Sequence, residues 1–118
     1  MNTITLPELN EGEIYAGILL NESGAPQHHL ILLPGDNNEA SWQTQIDWAK
    51  SIGGELPTRA EQSLLFANCK PHFQQDWYWS SEEYSAGGAW YQYFFSGDQY
   101  FGHEDYELRA RAVRRLPI

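Results

Sequence analysis

The sequence predicts a single α+β domain spanning residues 1–118, and three observations predict it. Strand-like segments come first, two capped helical segments follow, and short strands fill the rest, a segregated order that argues against a doubly wound parallel sheet. The length of 118 residues suits one core. Apolar residues make up 42% and aromatic residues 14% of the chain, enough to build that core.

Each element has its own signal. Residues 1–12 are polar and read as a loose N-terminal segment. Glu13–Leu20 reads as a strand, Asn21–Gln27 carries turn-forming Asn, Ser, Gly and Pro, and His28–Leu33 reads as a second strand ended by Pro34-Gly35. Together they predict an antiparallel hairpin. A helix is predicted over Trp42–Ile52, with Ser41 as N-cap and Gly53 as terminator. Its apolar stripe is Trp42, Ile46, Ala49 and Ile52. A second helix opens at Thr58 with Glu61 in capping-box spacing and ends before Pro71. Leu64, Leu65 and Ala67 are its core-facing residues. Beyond His72, Tyr78–Ser81, Ala89–Phe95, Gln99–Gly102 and Leu108–Arg114 read as strands of a C-terminal antiparallel sheet. Ser96-Gly97-Asp98 is the turn of a hairpin within it.

Charge narrows the partners. The formal net charge is −9. From Met1 to Pro57 there are eight acids and one base, and from Thr58 to Ile118 eight acids and six bases. Such a chain repels phosphates and anionic lipid, so no direct nucleic-acid partner and no membrane partner is expected, while a basic host protein is a plausible one. The lone Cys69 allows no intrachain disulfide and no Cys-based zinc site. The first residues lack a secretory signal and no apolar run suits a membrane helix. The expected location is the cytoplasm; a virion component, released by lysis and needing no signal, would look the same.

Several motifs together resemble a known family. They are Leu56-Pro57-Thr58 before a helix with Glu61 in its first turn, Trp79-Ser80-Ser81, Ala89-Trp90, and the closing Arg109, Arg111, Val113 and Arg114. Over roughly residues 40–115 the chain resembles the Lcl C-terminal-domain-like family. That domain of unknown function occurs in a collagen-like bacterial adhesin and is common in phage and prophage proteins. The resemblance implies a C-type-lectin-like fold. It also implies that Trp79 and Trp90 fill the core and that the closing arginines pair with buried carboxylates. Adhesin relatives bind sulfated glycans through a basic face, which this acidic chain does not offer. The calcium-lectin motifs Glu-Pro-Asn, Gln-Pro-Asp and Trp-Asn-Asp are absent, as is the cysteine pair of the formylglycine enzymes.

The strongest local signal is an aromatic belt. Twelve aromatics lie between Trp77 and Tyr106, against five in the rest of the chain, interleaved with Ser, Gly, Asp and Gln. Strand alternation places Trp90, Gln92 and Phe94 on one face and Tyr91, Tyr93 and Phe95 on the other. One face is core; the other is free for recognition in the manner of a paratope. The candidate ligand-binding residues are Tyr84, Tyr91, Tyr93, Asp98, Tyr100 and Tyr106.

Other constellations read as ordinary structure. His103-Glu104-Asp105, with Asp98 and Glu107, lacks an EF-hand spacing and reads as a solvated acidic loop or as partners for Arg109 and Arg111. His28 and His29 are strand neighbours and point to opposite faces. Cys69, beside Lys70 and near His72, reads as an apolar filler, and Ser80 and Ser81 lack a nucleophile elbow. Asp76, Glu82 and Glu83 carry no indication of glycosidase separation, and Gly87-Gly88 is a turn. No catalytic residue, metal or cofactor is assigned. The expected function is therefore recognition of a protein or a glycan through the aromatic β-loop surface. The alternatives are an acidic phage effector that occludes a basic surface of a host defence protein, and a structural virion or tail accessory protein. An oligomer is possible in each case.

Overall fold

The structure is a computed structural model that describes residues 4–118. It is of the α+β class, with two helices and two sheets. β1 (Ile14–Leu20) and β2 (Pro26–Leu32) form the predicted antiparallel hairpin. The described part of the N-terminal segment, residues 4–12, contains no strand or helix, and residues 1–3 of that predicted loose segment lie outside the described residues.

β3 (Asn37–Ala40) follows, an element the sequence did not announce because its four residues, Asn-Asn-Glu-Ala, have little strand propensity. α1 (Trp42–Ser51) is capped by Ser41, whose hydroxyl accepts the Thr44 amide. Its buried stripe is Trp42, Gln45 and Ala49, with Ile46 half-buried; Ile52 lies beyond the helix and is exposed, contrary to the predicted stripe. Gln45 takes an inner place because its amide is fully satisfied there. It donates to the carbonyls of Asn38 (2.8 Å) and Leu108 (2.9 Å) and accepts from Asn37 (2.8 Å).

α2 (Arg59–Cys69) begins with the predicted capping box: Thr58 accepts the Glu61 amide, and the Glu61 carboxylate accepts the Thr58 amide. A cap of this kind contributes about 1 kcal/mol. Leu65 and Cys69 are its fully buried apolar residues, and Ala67 is exposed, which corrects its predicted core role. A 3-10 turn over Lys70–His72 leads onward.

β4 (Trp77–Ser85), β5 (Gly88–Tyr93) and β6 (Gln99–His103) form an antiparallel meander. The single strand predicted over Leu108–Arg114 is two strands, β7 (Leu108–Ala110) and β8 (Val113–Pro117). They belong to different sheets. β7 pairs with β3 and runs parallel to β4, so the C-terminal sheet is mixed and has the order β3-β7-β4-β5-β6, whereas β8 joins the first hairpin as β1-β2-β8. The break falls where Arg111 turns inward. Its guanidinium donates to the carbonyls of His72 (2.6 Å) and Leu33 (2.7 Å), neither of which is on a paired strand. Two carbonyls outside the ladders, that of Leu33 buried, thereby gain a donor as the chain crosses between sheets.

Two apolar clusters result. One, between the first sheet and α2, contains Leu30, Leu32, Leu65, Cys69, Tyr78, Phe94 and Val113. The other, under α1, contains Leu33, Trp42, Leu56, Trp79, Ala110 and Ala112. Trp79 is fully buried, as the resemblance implied, but Trp90 is not: it is half-buried and roofed by a helix arginine. The implied pairing of closing arginines with carboxylates is present for Arg109 with Asp36 (2.9 Å) and Arg114 with Glu13 (2.8 Å). Arg111 instead binds carbonyls, and Arg115 adds a pair with Glu61 (2.6 Å). No helix among the described residues is long and apolar enough to cross a membrane.

Candidate functional site

The β4–β5–β6 meander extends beyond the core and bears aromatics on both faces. Register decides which residue goes where. Trp77 lies opposite Tyr93, Trp79 opposite Tyr91, and Tyr91 opposite Tyr100. These side chains share one face, with Trp79 buried at its inner end and Trp77, Tyr91 and Tyr93 half-buried. Trp77 stacks on Tyr93 at 4.3 Å and meets Tyr91 edge-on at 5.2 Å. Tyr100 is edge-on to Trp77 at 5.7 Å. Offset-stacked and edge-to-face pairs of this kind each add about 1 kcal/mol and hold the rings still. Tyr100 and Tyr106 leave 47% and 48% of their surface exposed, so the far end of this face is open.

Tyr106 reaches the face because Gly102 lacks a side chain. A Cβ there would lie 2.5 Å from Tyr106 Cε2 and 3.3 Å from Tyr91 Cε1. Burial, and then the neighbouring Tyr106 and Tyr100, push the Tyr91 phenol above its ordinary range.

The opposite face carries a second cluster. Trp90 and Phe101 are cross-strand partners. Tyr84 stacks on Phe101 at 3.7 Å and meets Trp90 edge-on at 5.5 Å. The guanidinium of Arg59 lies 3.5 Å from the centre of the Trp90 ring. It also donates to Gln99 Oε1 (3.0 Å), and Gln99 returns a bond to the Arg59 carbonyl (2.8 Å). The first residue of α2 is thus clamped to the meander. A shallow cleft of about 240 Å³ opens beside this cluster, lined by Tyr84, Gly87, Gly88, Phe101 and His103 among others.

The six candidate residues are therefore not one surface. Tyr91, Tyr93, Tyr100 and Tyr106 gather on one face around Trp77. Tyr84 lies on the other: it is five residues beyond Trp79 and so of opposite parity on β4, and the register shift between Trp79 and Glu83 preserves that parity. Asp98 sits in the β5–β6 turn, where it accepts the Ser96 hydroxyl (2.9 Å). Sequence reasoning passed over Trp77, Trp90 and Phe101 as surface residues, and also Arg59. Parity along β5 and β6 carries the signal for Trp90 and Phe101; only the packing of α2 reveals Arg59.

The electrostatics of this unit are one-sided. Asp76, Glu82, Glu83, Asp98, Glu104, Asp105 and Glu107 lie between Pro71 and Leu108, a stretch with no Lys or Arg. Partial burial and then the adjacent Glu83 and Asp105 carboxylates push the Glu104 carboxyl up. Elsewhere the arginines face carboxylates, carbonyls or Trp90, which leaves Lys50 and Lys70 without a carboxylate partner among the described residues.

The other candidate groups are engaged in structure. The Ser80 hydroxyl donates to the Trp90 carbonyl (2.8 Å). Cys69 is fully buried, and burial pushes its thiol up, opposite to an activated thiolate. His28 contacts Glu61 (2.8 Å) while His29 contacts the Tyr15 hydroxyl (2.8 Å), on opposite sides of β2. Among the described residues no group of three or more His, Cys, Asp or Glu side chains converges on a metal-sized site. No protein-family model matches the sequence, and comparison with curated proteins finds no match.

Proposed function

We propose that the chain is a non-enzymatic recognition domain of the C-type-lectin-like, phage or prophage kind that its motifs resemble. It binds a protein or a glycan through the aromatic end of the β4–β5–β6 meander. The observation that carries this reading is the tyrosine face, where Tyr100 and Tyr106 stand half-exposed on a floor of Trp77, stacked on Tyr93 and edge-on to Tyr91. Rigid aromatics with hydroxyl ends lose little entropy on binding, and they suit both apolar side chains and the CH edges of sugars. The test is capture from bacterial lysate and from a glycan array by the native protein and by Tyr100→Ala/Tyr106→Ala. Loss of all specific capture in the variant, with an unchanged melting point, supports the reading. Capture that survives the double substitution overturns it.

The second reading, an acidic effector that covers a basic host surface, is favoured by the run of seven carboxylates without a Lys or Arg between Pro71 and Leu108. Binding by such a surface falls steeply with salt. Binding that is indifferent to salt but lost on Tyr→Ala substitution speaks for the first reading alone.

A further inference from the structure

β6 is an edge of the five-stranded sheet. The bonds from the Tyr93 amide to the Asp98 carbonyl (2.8 Å) and from the Glu104 amide to the Gly87 carbonyl (2.9 Å) fix the phase of its ladder with β5. With Tyr91 opposite Tyr100 and Ala89 opposite Gly102, the main-chain groups of Tyr100 and Gly102 turn toward β5. Those of Gln99, Phe101 and His103 turn outward. The His103 carbonyl takes the Tyr106 amide (3.0 Å). The outward groups of Gln99 and Phe101 have no partner in another element among the described residues.

Exposed edges are ordinarily guarded by Lys, Pro or a bulge. β6 has no Lys or Pro, and its pairing with β5 runs through five successive pairs without a register shift. It has an aromatic on each side, Tyr100 on one face and Phe101, 48% exposed, on the other. Exposed Asp98 flanks one end, and exposed Asp105 and Glu107 lie just past the other. A second copy would bring the same carboxylates against these and be repelled. A cationic strand is attracted at both ends.

We propose that the β6 edge receives an extended, arginine-bearing segment of a partner protein as an added strand. The segment's main chain pairs with the outward groups of Gln99 and Phe101, and its side chains lie over Tyr100 on one face and Phe101 on the other, a guanidinium stacked on one ring and an apolar side chain packed on the other. This deepens the recognition reading, on which it rests, and commits the ligand to a protein.

The probe is a short peptide of alternating arginine and valine, titrated into the full chain while amide hydrogen exchange is followed. The expected result is protection of the Phe101 amide. The same peptide N-methylated at every residue keeps its charge but cannot donate, and its affinity is expected to fall by about tenfold or more. Phe101→Pro, which removes one outward donor and the ring but no bond to β5, is expected to lose affinity by more than Phe101→Ala, which removes the ring alone, with the far-ultraviolet circular dichroism of both variants unchanged. The methylation arm decides the matter should that variant misfold. Equal binding of the methylated peptide, with no change in Phe101 exchange, overturns strand addition. The wider recognition reading falls only if Tyr100→Ala/Tyr106→Ala also keeps its native capture. A homodimer in sedimentation that Phe101→Pro dissociates overturns the proposal in favour of a second copy.

Discussion

The guanidinium of Arg115 holds the Glu61 carboxylate through two hydrogen bonds, 2.6 and 2.7 Å long, and fastens β8 to the first turn of α2. Glu61 is 1% exposed and also accepts from the Thr58 amide and contacts His28. Removing one member of a buried pair leaves the other uncompensated. Glu61→Gln is expected to lower stability by about 3 kcal/mol in urea denaturation. A loss below about 1 kcal/mol would mean that this contact is not a main fastening of the fold.

Acid sensitivity follows from a second pair. The hydrogen bonds from Arg114 hold the Glu13 carboxyl at about 2, below the 4.5 of a free glutamate. Glu61 is also lowered: burial opposes this, but Arg115, the Thr58 amide and His28 outweigh it. Between about 4.5 and about 2 the unfolded chain binds the proton that folded Glu13 refuses. Stability from Glu13 is therefore complete above that window and declines as pH falls through it. Melting temperature against pH should show this slope, and Glu13→Gln should flatten it. An unaltered slope in the variant assigns acid sensitivity to other carboxyls.

At the alkaline end the sign reverses. Burial raises the Tyr78 phenol, as does its bond to Asp36, and burial raises Tyr15 and Tyr91. The folded chain keeps protons that an unfolded tyrosine loses near 10. Stability from these groups is complete below that pH and declines as pH rises past it. Ultraviolet titration should show a class of tyrosines that ionises late and together with unfolding. Seven phenols titrating as one class near 10 would refute the burial of Tyr78.

Two glycines separate stability from recognition. A Cβ on Gly54 would lie 2.8 Å from the Val113 carbonyl and 2.5 Å from Leu33 Cδ1, inside the core. Gly54→Ala is expected to cost about 2–3 kcal/mol, because main chain must move. A Cβ on Gly102 meets only side chains, those of Tyr106 and Tyr91. Gly102→Ala is expected to change stability by less than about 1 kcal/mol, yet to displace the Tyr106 ring, seen as lost Tyr106–Tyr91 proximity in NMR. Equal stability losses at the two positions would contradict this division.

The parts of the fold with local signals were legible in the sequence. Thr58 and Glu61 announce α2, Ser41 announces α1, and the turn at Ser96-Gly97-Asp98 announces the β5–β6 hairpin, because each depends on neighbours in the chain. What depended on distant partners was not. β3 is a strand only because β7 lies beside it, and the break between β7 and β8 exists because Arg111 finds the carbonyls of Leu33 and His72. The aromatic belt was visible as composition. Its division into two faces was only partly visible: alternation sorts β5 and, counted from Trp79, sets Tyr84 on the side of Trp90, but the register that stacks Tyr84 on Phe101 depends on distant pairing. Arg59 could be read as a helix residue but not as the lid of an indole.

β8 pairs with β2, bridges to Glu55 through Val113, and carries the arginines that hold Glu13 and Glu61. The first hairpin and α2 therefore acquire their shared partner only after the residues between Cys69 and Val113 have been made. On the ribosome, Leu30–Leu32 and the Glu61 carboxylate must wait, one apolar and the other charged, until Val113–Pro117 has emerged. Closure of this sheet onto α2 then waits on one distant strand and is not a gradual accretion.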